Sequence, residues 1–287
     1  MNNIKYFFQF MFVIFLFLLF KLLRLKYSSI LSGVILSTIG PIFRSNKISY
    51  SNLSKAFPNM EQFQKKRVIN KMWFNYGRIF AEYMFIKNFR NDTKFNQRII
   101  IENQEVLEKI KDSLEPVIFI SGHFNNFELM AMHIEKSGID LAAIYRPLNN
   151  KYLNPIMEKI RKNFICKKQI KKGISGTKEL LKYFKQGTSI ALMIDQRVSE
   201  GNKCNFFNEE ALTTTIPAQF IKKFKSKIVP VYIERLKNNN FKLKFDNPLQ
   251  FSKDETIASI TLRLNKILEE MIIKNPEQWI WTHNRWK

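Results

Sequence analysis

The chain has 287 residues, 45% of them hydrophobic, enough for one large domain or two modest ones with a real core. Its 47 Lys and Arg outnumber 24 Asp and Glu for a net charge of +23, a field that attracts anionic partners such as nucleic acid, acidic lipid headgroups, phosphorylated substrates or an acidic carrier protein. The two cysteines, Cys166 and Cys204, lie far apart and form no metal-ligand spacing, which argues against a disulfide framework or a zinc site and suits a reducing compartment.

Residues 7–20, FFQFMFVIFLFLLF, are apolar at every position but Gln9. The wider stretch 4–25 reaches the ~20 residues a membrane span needs, with Lys21 and Arg24 able to snorkel at its end. No small-residue cleavage site follows, so residues 1–26 are expected to be a retained anchor or deeply embedded helix rather than a cleaved signal. Basic residues crowd the C-terminal flank (Lys21, Arg24, Lys26, Arg44, Lys47). By the positive-inside rule this makes a single-pass anchor with the body, residues 27–287, on the cytoplasmic side. The second apolar stretch, 28–43, contains Gly33, Gly40 and Pro41 and reads as an interfacial or packed helix. Residues 27–95 are expected to form a helical, membrane-proximal part, with Val68, Met72, Ile79 and Tyr83 at helical spacing. Such an anchored, basic body points to a membrane surface and away from nucleic acid.

From residue 115 onward, strand-like and helix-like segments alternate. The strands are read at 116–121, 139–145, 188–194 and 227–236, with 241–245 (FKLKF) alternating like an antiparallel or edge strand. The helices between them are read at 126–136, 151–163, 176–186, 213–224 and 254–274. Strands separated by helices of 10–15 residues predict an α/β fold: a mixed, largely parallel central sheet flanked by helices. No Walker loop or GxGxxG motif occurs, so nucleotide chemistry is not indicated.

Open α/β sheets place reactive groups just past the carboxyl ends of their strands. His123, one of three histidines, sits there after PVIFISG, with Glu128 five residues on. Two residues five apart inside one helix lie about 140° from each other and do not meet. With the histidine on the turn and the glutamate in the first helical turns, they can. Glu128 would then fix the imidazole tautomer and leave the other nitrogen as a general base. As bare chemistry the pair reads equally well as a surface His and Glu at a helix start. Gly122 permits close backbone approach, Asn125 and Asn126 supply amides and a helix cap, and His133, inside the helix, reads as packing.

The surrounding text extends the pattern. His-x-x-x-x-Glu after an apolar strand resembles the signature of glycerolipid-type acyltransferases. SGHFNNFE resembles the corresponding block of the lipid A biosynthesis (late) acyltransferases, lauroyl/myristoyl type, within the lysophospholipid acyltransferase superfamily. SNLSKAFPN (51–59), FNYGRIFAEY (74–83), YRPLNNKYLN (145–154), MIDQR (193–197), the FFNEEALTTTIPAQ region and the closing WIWTHNRWK are similar to further blocks of that family, in the same order. Asn208 departs from the family's usual glycine after Phe-Phe, and the 197–204 loop carries an Arg and a Glu where small residues are usual. These departures leave the shape of the acceptor or acyl pocket open.

The resemblance implies a glycerolipid acyltransferase-like fold and acyl transfer from acyl carrier protein to a hydroxyl of a Kdo-bearing lipid A precursor, at the cytoplasmic face of the bacterial inner membrane. It implies His123 and Glu128 as catalytic residues, Asn126, Arg146, Asp195 and Gln196 as substrate-binding or oxyanion residues, and no cofactor or metal. The implied partners are the carrier protein, an anionic glycolipid acceptor and the membrane, with no nucleic acid. Arg146 would bind phosphate or the oxyanion, and Asp195 and Gln196 would hold Arg146 or bind acceptor hydroxyls. Trp279, Trp281, Arg285 and Trp286 read as packing that closes the domain or as a lipid-interface belt. The alternatives are an acyltransferase for a lysophospholipid, aminolipid or glycolipid, and a non-enzymatic basic protein of the membrane surface.

Overall fold

A computed structural model describes residues 2–287, so the first residue of the expected 1–26 anchor lies outside it. The helical N-terminal part contains α1 (Asn2–Phe43), α2 (Asn46–Ala56), α3 (Gln62–Glu82), a 3₁₀ turn at Tyr83–Phe85, α4 (Ile86–Asn91) and α5 (Thr93–Asn96). The apolar stretches on either side of residue 26 are one helix with a break: Arg24 alone leaves helical geometry, at φ 59° and ψ 167°. α1 packs along α3, and glycines set how closely. A Cβ on Gly77 would lie 2.1 Å from the Ser32 carbonyl oxygen, so only glycine admits this crossing.

The α/β body follows as β1 (Ile99–Glu102), α6 (Gln104–Ser113), β2 (Ile118–Ser121), α7 (Glu128–Lys136), β3 (Leu141–Tyr145), α8 (Leu153–Phe164), β4 (Lys168–Lys171), α9 (Ile174–Lys185) and β5 (Ser189–Met193). A hairpin of β6 (Asn202–Phe206) and β7 (Glu209–Thr213) precedes α10 (Ile216–Phe224), β8 (Ile228–Arg235), β9 (Phe241–Phe245) and α11 (Ile257–Lys274). Seven strands form one sheet in the order β1-β9-β8-β2-β5-β3-β4. Five of them, β8-β2-β5-β3-β4, are mutually parallel, and β9 runs antiparallel to β8 with β1 beside it. The mixed, largely parallel sheet flanked by helices is the expected architecture. β9 is antiparallel as its alternation implies, but it is internal, and β1 takes the edge.

The central strands are continuous apolar runs because both faces are covered: every residue of β2 is buried. Phe119 and Phe245 meet edge to face, with ring centroids 6.4 Å apart, among the largest fully buried side chains. The parallel arrangement carries functional weight because it brings the carboxyl ends of β2, β3, β4, β5 and β8 to one edge. β2 and β5 are neighbours there, with Ser121 opposite Met193.

The departure at Asn208 has a local cause. Phe207 and Asn208 join β6 to β7 as a two-residue turn, with φ of 51° and 62°. This is the left-handed pair that a tight hairpin demands, and asparagine tolerates it better than any other side-chain-bearing residue.

Candidate active site

β2 ends at Ser121, and the chain turns through Gly122–Phe127 before α7 begins at Glu128. His123 sits on this turn. Its Nδ1 lies 2.7 Å from Oδ1 of Asp195, which follows β5, and its backbone N–H donates to Asp195 Oδ2 at 2.8 Å. The Trp279 indole N–H donates to the same Oδ2 at 2.8 Å. Asp195 is fully buried, whereas the His123 side chain is 20% exposed, and Nε2 is the ring nitrogen that Asp195 does not hold. The Phe127 ring meets the imidazole edge to face at 4.8 Å. Gln196 Nε2 stands 3.5 Å from both ring nitrogens.

The partner of His123 is therefore Asp195, and the orienting role read for Glu128 falls to it. The helix start explains why. Glu128 is the first residue of α7, and its carboxylate turns toward α8 and the 3₁₀ turn after α3, where it accepts hydrogen bonds from the Tyr83 hydroxyl and from Arg161 Nε at 2.9 Å. Asp195 consequently does not hold Arg146. Arg146 is exposed after β3 and forms no ion pair among the described residues. Asn126 is fully buried and donates to Glu82 at 3.3 Å; it neither caps α7 nor faces the imidazole. Asn125, at φ 43°, donates to the Ile233 carbonyl and to Gln278 Oε1. Both amides hold the turn in place.

The electrostatics match the geometry. Burial pushes the His123 pKa down, but the charge and hydrogen bond of Asp195 outweigh it and hold the ring above its ordinary 6.5. Burial pushes Asp195 up, and the charge and hydrogen bonds of His123 together with the Trp279 N–H hold it below the usual carboxylate range. Burial raises the Cys166 thiol to about 12, so it supplies no thiolate at neutral pH.

A strap formed by the last residues completes the site. Phe124 bridges to Trp279, and the Asn125 N–H donates to the Gln278 carbonyl at 3.1 Å. The Arg197 N–H donates to His283 Nε2 at 2.9 Å, and Asn52 of α2 donates to the carbonyls of Trp281 and His283 at 2.8 and 2.6 Å. Trp279, Trp281 and Arg285 are fully buried, as expected for packing, but Trp279 also binds the dyad. His133 is half-buried against Phe245, and burial lowers its pKa to about 4.

A second polar cluster braces the turn from below. Glu82 pairs with Arg235 at the end of β8, and Asn75, Asn126 and Asn239 complete the buried network. The reading from sequence gave Glu82 and Arg161 no role, placed Tyr83 only in a helical spacing and read Trp279 only as packing or a lipid-interface residue. The signal for three of them was present, since Glu82-Tyr83 and Trp279 lie inside the quoted blocks. Arg161 is one basic residue among many on its helix.

An imidazole held by a buried carboxylate, with one nitrogen open at the carboxyl edge of a parallel sheet, is the equipment of an enzyme that activates a hydroxyl. The enzyme is an acyltransferase, and the chain belongs to the bacterial lipid A biosynthesis acyltransferase family, whose profile matches residues 1–287. It is 23% identical over 238 residues to lipid A biosynthesis acyltransferase 2 of Shigella flexneri, covering 80% of this chain and 74% of that protein. It is 21% identical over 240 residues to the lipid A biosynthesis myristoyltransferase of Escherichia coli K12, covering 83% and 73%. It is 22% identical over 254 residues to the lauroyltransferase of the same strain, covering 85% and 79%. Family membership makes this an enzyme of lipid A biosynthesis, and the long apolar α1 is a candidate membrane anchor.

Proposed function

We propose that this enzyme moves a fatty acyl chain from an acyl-carrier-protein thioester to a hydroxyl of a Kdo-bearing lipid A precursor, at the cytoplasmic face of the bacterial inner membrane. His123 is the general base. Its Nε2 takes the hydroxyl proton as the oxygen attacks the thioester carbonyl, and Asp195 stabilises the imidazolium that forms. The tetrahedral oxyanion is met by the backbone N–H of Glu128 at the start of α7, since those of Leu129 and Met130 already bond the Asn126 and Phe127 carbonyls. The C–S bond then breaks, and the carrier thiolate takes the proton back from Nε2. Transfer is direct, with no acyl-enzyme and no cofactor. Glu128 holds Arg161 at the rim of the site, and exposed Arg146 supplies a cation one strand further out, suited to phosphate or Kdo carboxylates.

The observation that carries this reading is the His123–Asp195–Trp279 constellation, in which the carboxylate holds Nδ1 and leaves Nε2 as the base. Its test is an assay of purified enzyme with acyl-loaded carrier protein and a Kdo-bearing acceptor, read by mass spectrometry. One added acyl chain per acceptor is expected, and none with His123→Ala. Equal activity on an acceptor stripped of Kdo and phosphates would place the enzyme with acyltransferases of another membrane lipid.

A further inference from the structure

The two faces of α1 have different neighbours. Ile4, Phe8, Phe12, Phe15, Leu18 and Leu22 are each more than half exposed, and their spacing sets them in one stripe. The opposite face is held by the body of the protein at both ends of the segment. Phe17 and Phe20 are buried against Phe80 of α3, with ring centroids 5.2 and 6.1 Å away. Near the start of the helix, Asn150 donates to the Tyr6 carbonyl at 2.9 Å, and the Tyr152 ring lies 5.9 Å from both Phe7 and Phe10. Asn150 and Tyr152 belong to the loop between β3 and α8, at the same sheet edge as His123.

Residues 6 and 25 are about 28 Å apart along the helix, close to the ~30 Å thickness of a bilayer's hydrocarbon. If α1 stood upright across that layer, Tyr6 would reach the far face. The β3–α8 loop and its exposed Lys151 would have to follow it through lipid, or the contacts would break. Lying flat meets both demands: one face stays on the protein and the other enters lipid.

We infer that α1 lies in the plane of an anionic bilayer, with its exposed stripe inserted and the protein docked on its inner face, instead of crossing as a single-pass span. Lys5, Lys21, Arg24 and Lys26 are exposed along the helix to meet acidic headgroups. At the adjoining sheet edge Ile174 is 81% exposed beside Lys171 and Lys172, so this edge also touches the membrane. A lipid hydroxyl then reaches the His123 edge without leaving the bilayer. The placement stands on the contacts of α1 and does not rest on the acyl-transfer reading.

The test uses the full chain carrying Cys204→Ser, with buried Cys166 left in place, expressed in spheroplasts. Lys5→Cys and Lys26→Cys are introduced singly and probed with a membrane-impermeant maleimide before and after permeabilisation. Both are expected to react only after permeabilisation. Labelling of Lys5→Cys from outside while Lys26→Cys stays protected would overturn the inference, as would a Lys5→Cys that never reacts. Mild oxidation of a Gln9→Cys/Asn150→Cys pair in the same membranes is expected to give an intramolecular disulfide; two free, reactive thiols would overturn the flat placement. Flotation with phosphatidylcholine vesicles, with and without phosphatidylglycerol, should show at least about fivefold tighter association with the anionic set. Equal association would remove the charge component.

Discussion

Asp195→Asn is the sharpest perturbation of the dyad, because it removes a charge and almost no volume. Oδ1 of Asp195 accepts from Nδ1 of His123, and Oδ2 accepts from two N–H donors, the His123 backbone and the Trp279 indole. An asparagine NH₂ at the Oδ2 position would face both donors in a buried site and leave each unsatisfied, at about 1–3 kcal/mol apiece. The amide therefore turns its NH₂ toward Nδ1. That nitrogen must then accept, which places the ring proton on Nε2, where the base is needed. In a catalytic triad the same exchange costs about 10⁴-fold in kcat. Here a fall of about 10³–10⁴ is expected, or ~4–5.5 kcal/mol of transition-state stabilisation, with KM little changed. The assay is steady-state transfer from acyl carrier protein, with circular dichroism to confirm folding. In the parent enzyme kcat/KM should rise with pH through a pKa above 6.5, as His123 loses its proton. In Asp195→Asn that limb should move to lower pH, since burial still depresses the ring and the raising carboxylate is gone. The His123→Ala/Asp195→Asn double variant should be little worse than the worse single one. A folded Asp195→Asn enzyme within about threefold of parental turnover, or one whose pH limb has not moved, would refute the dyad.

Glu128→Ala leaves the largely buried Arg161 without its carboxylate and should cost about 2–4 kcal/mol in urea unfolding, while Glu128→Gln, still able to bond Tyr83, should cost less. Acid should destabilise the fold between about pH 6.5 and 4: burial holds His133 and His283 near 4, so the unfolded chain binds more protons in that window and stability falls as pH drops. His123, held above 6.5, is protonated in both states within this window and loses its contribution only as pH rises past its raised pKa; His133→Leu should flatten the fall of Tm with pH, and an unchanged slope would contradict this account. Asn208→Gly should alter stability by less than about 1 kcal/mol and leave acyl-chain preference untouched, because the residue shapes a hairpin turn and not a pocket; a changed chain length in the product would show otherwise.

The α/β alternation was legible because β2, β3, β5 and β8 are apolar runs bounded by turns. β4, KQIK, and the hairpin strand NKCNF were not, since their composition is polar and only their neighbours make them strands. His123 was legible from its place after an apolar strand. Its partner was not, because the pairing depends on strand order: β2 and β5 lie side by side, which brings together residues 72 apart in sequence. Glu128 looked like the partner only because it was near along the chain. The α7 start then turned its side chain toward Arg161, on a helix whose position no local pattern reveals. The long apolar segment was evident at once, but its one-sided attachment to the β3–α8 loop required the fold.

The buried Glu82–Arg235 pair constrains how this sequence can drift. The two residues are 153 positions apart, and neither side chain is more than 4% exposed. Losing either alone strands a charge in the interior, at about 3–5 kcal/mol, a large share of the margin a domain of ordinary stability has. A hydrophobic pair of equal volume can serve the core as well, but a lineage would have to cross that deficit to reach it, and Asn126, which donates to Glu82, would lose its anchor beneath the His123 turn on the way. Positions 82, 126 and 235 are thus expected to change together or not at all, so descendants of this chain can diversify their surface loops freely while inheriting this buried triplet as a unit.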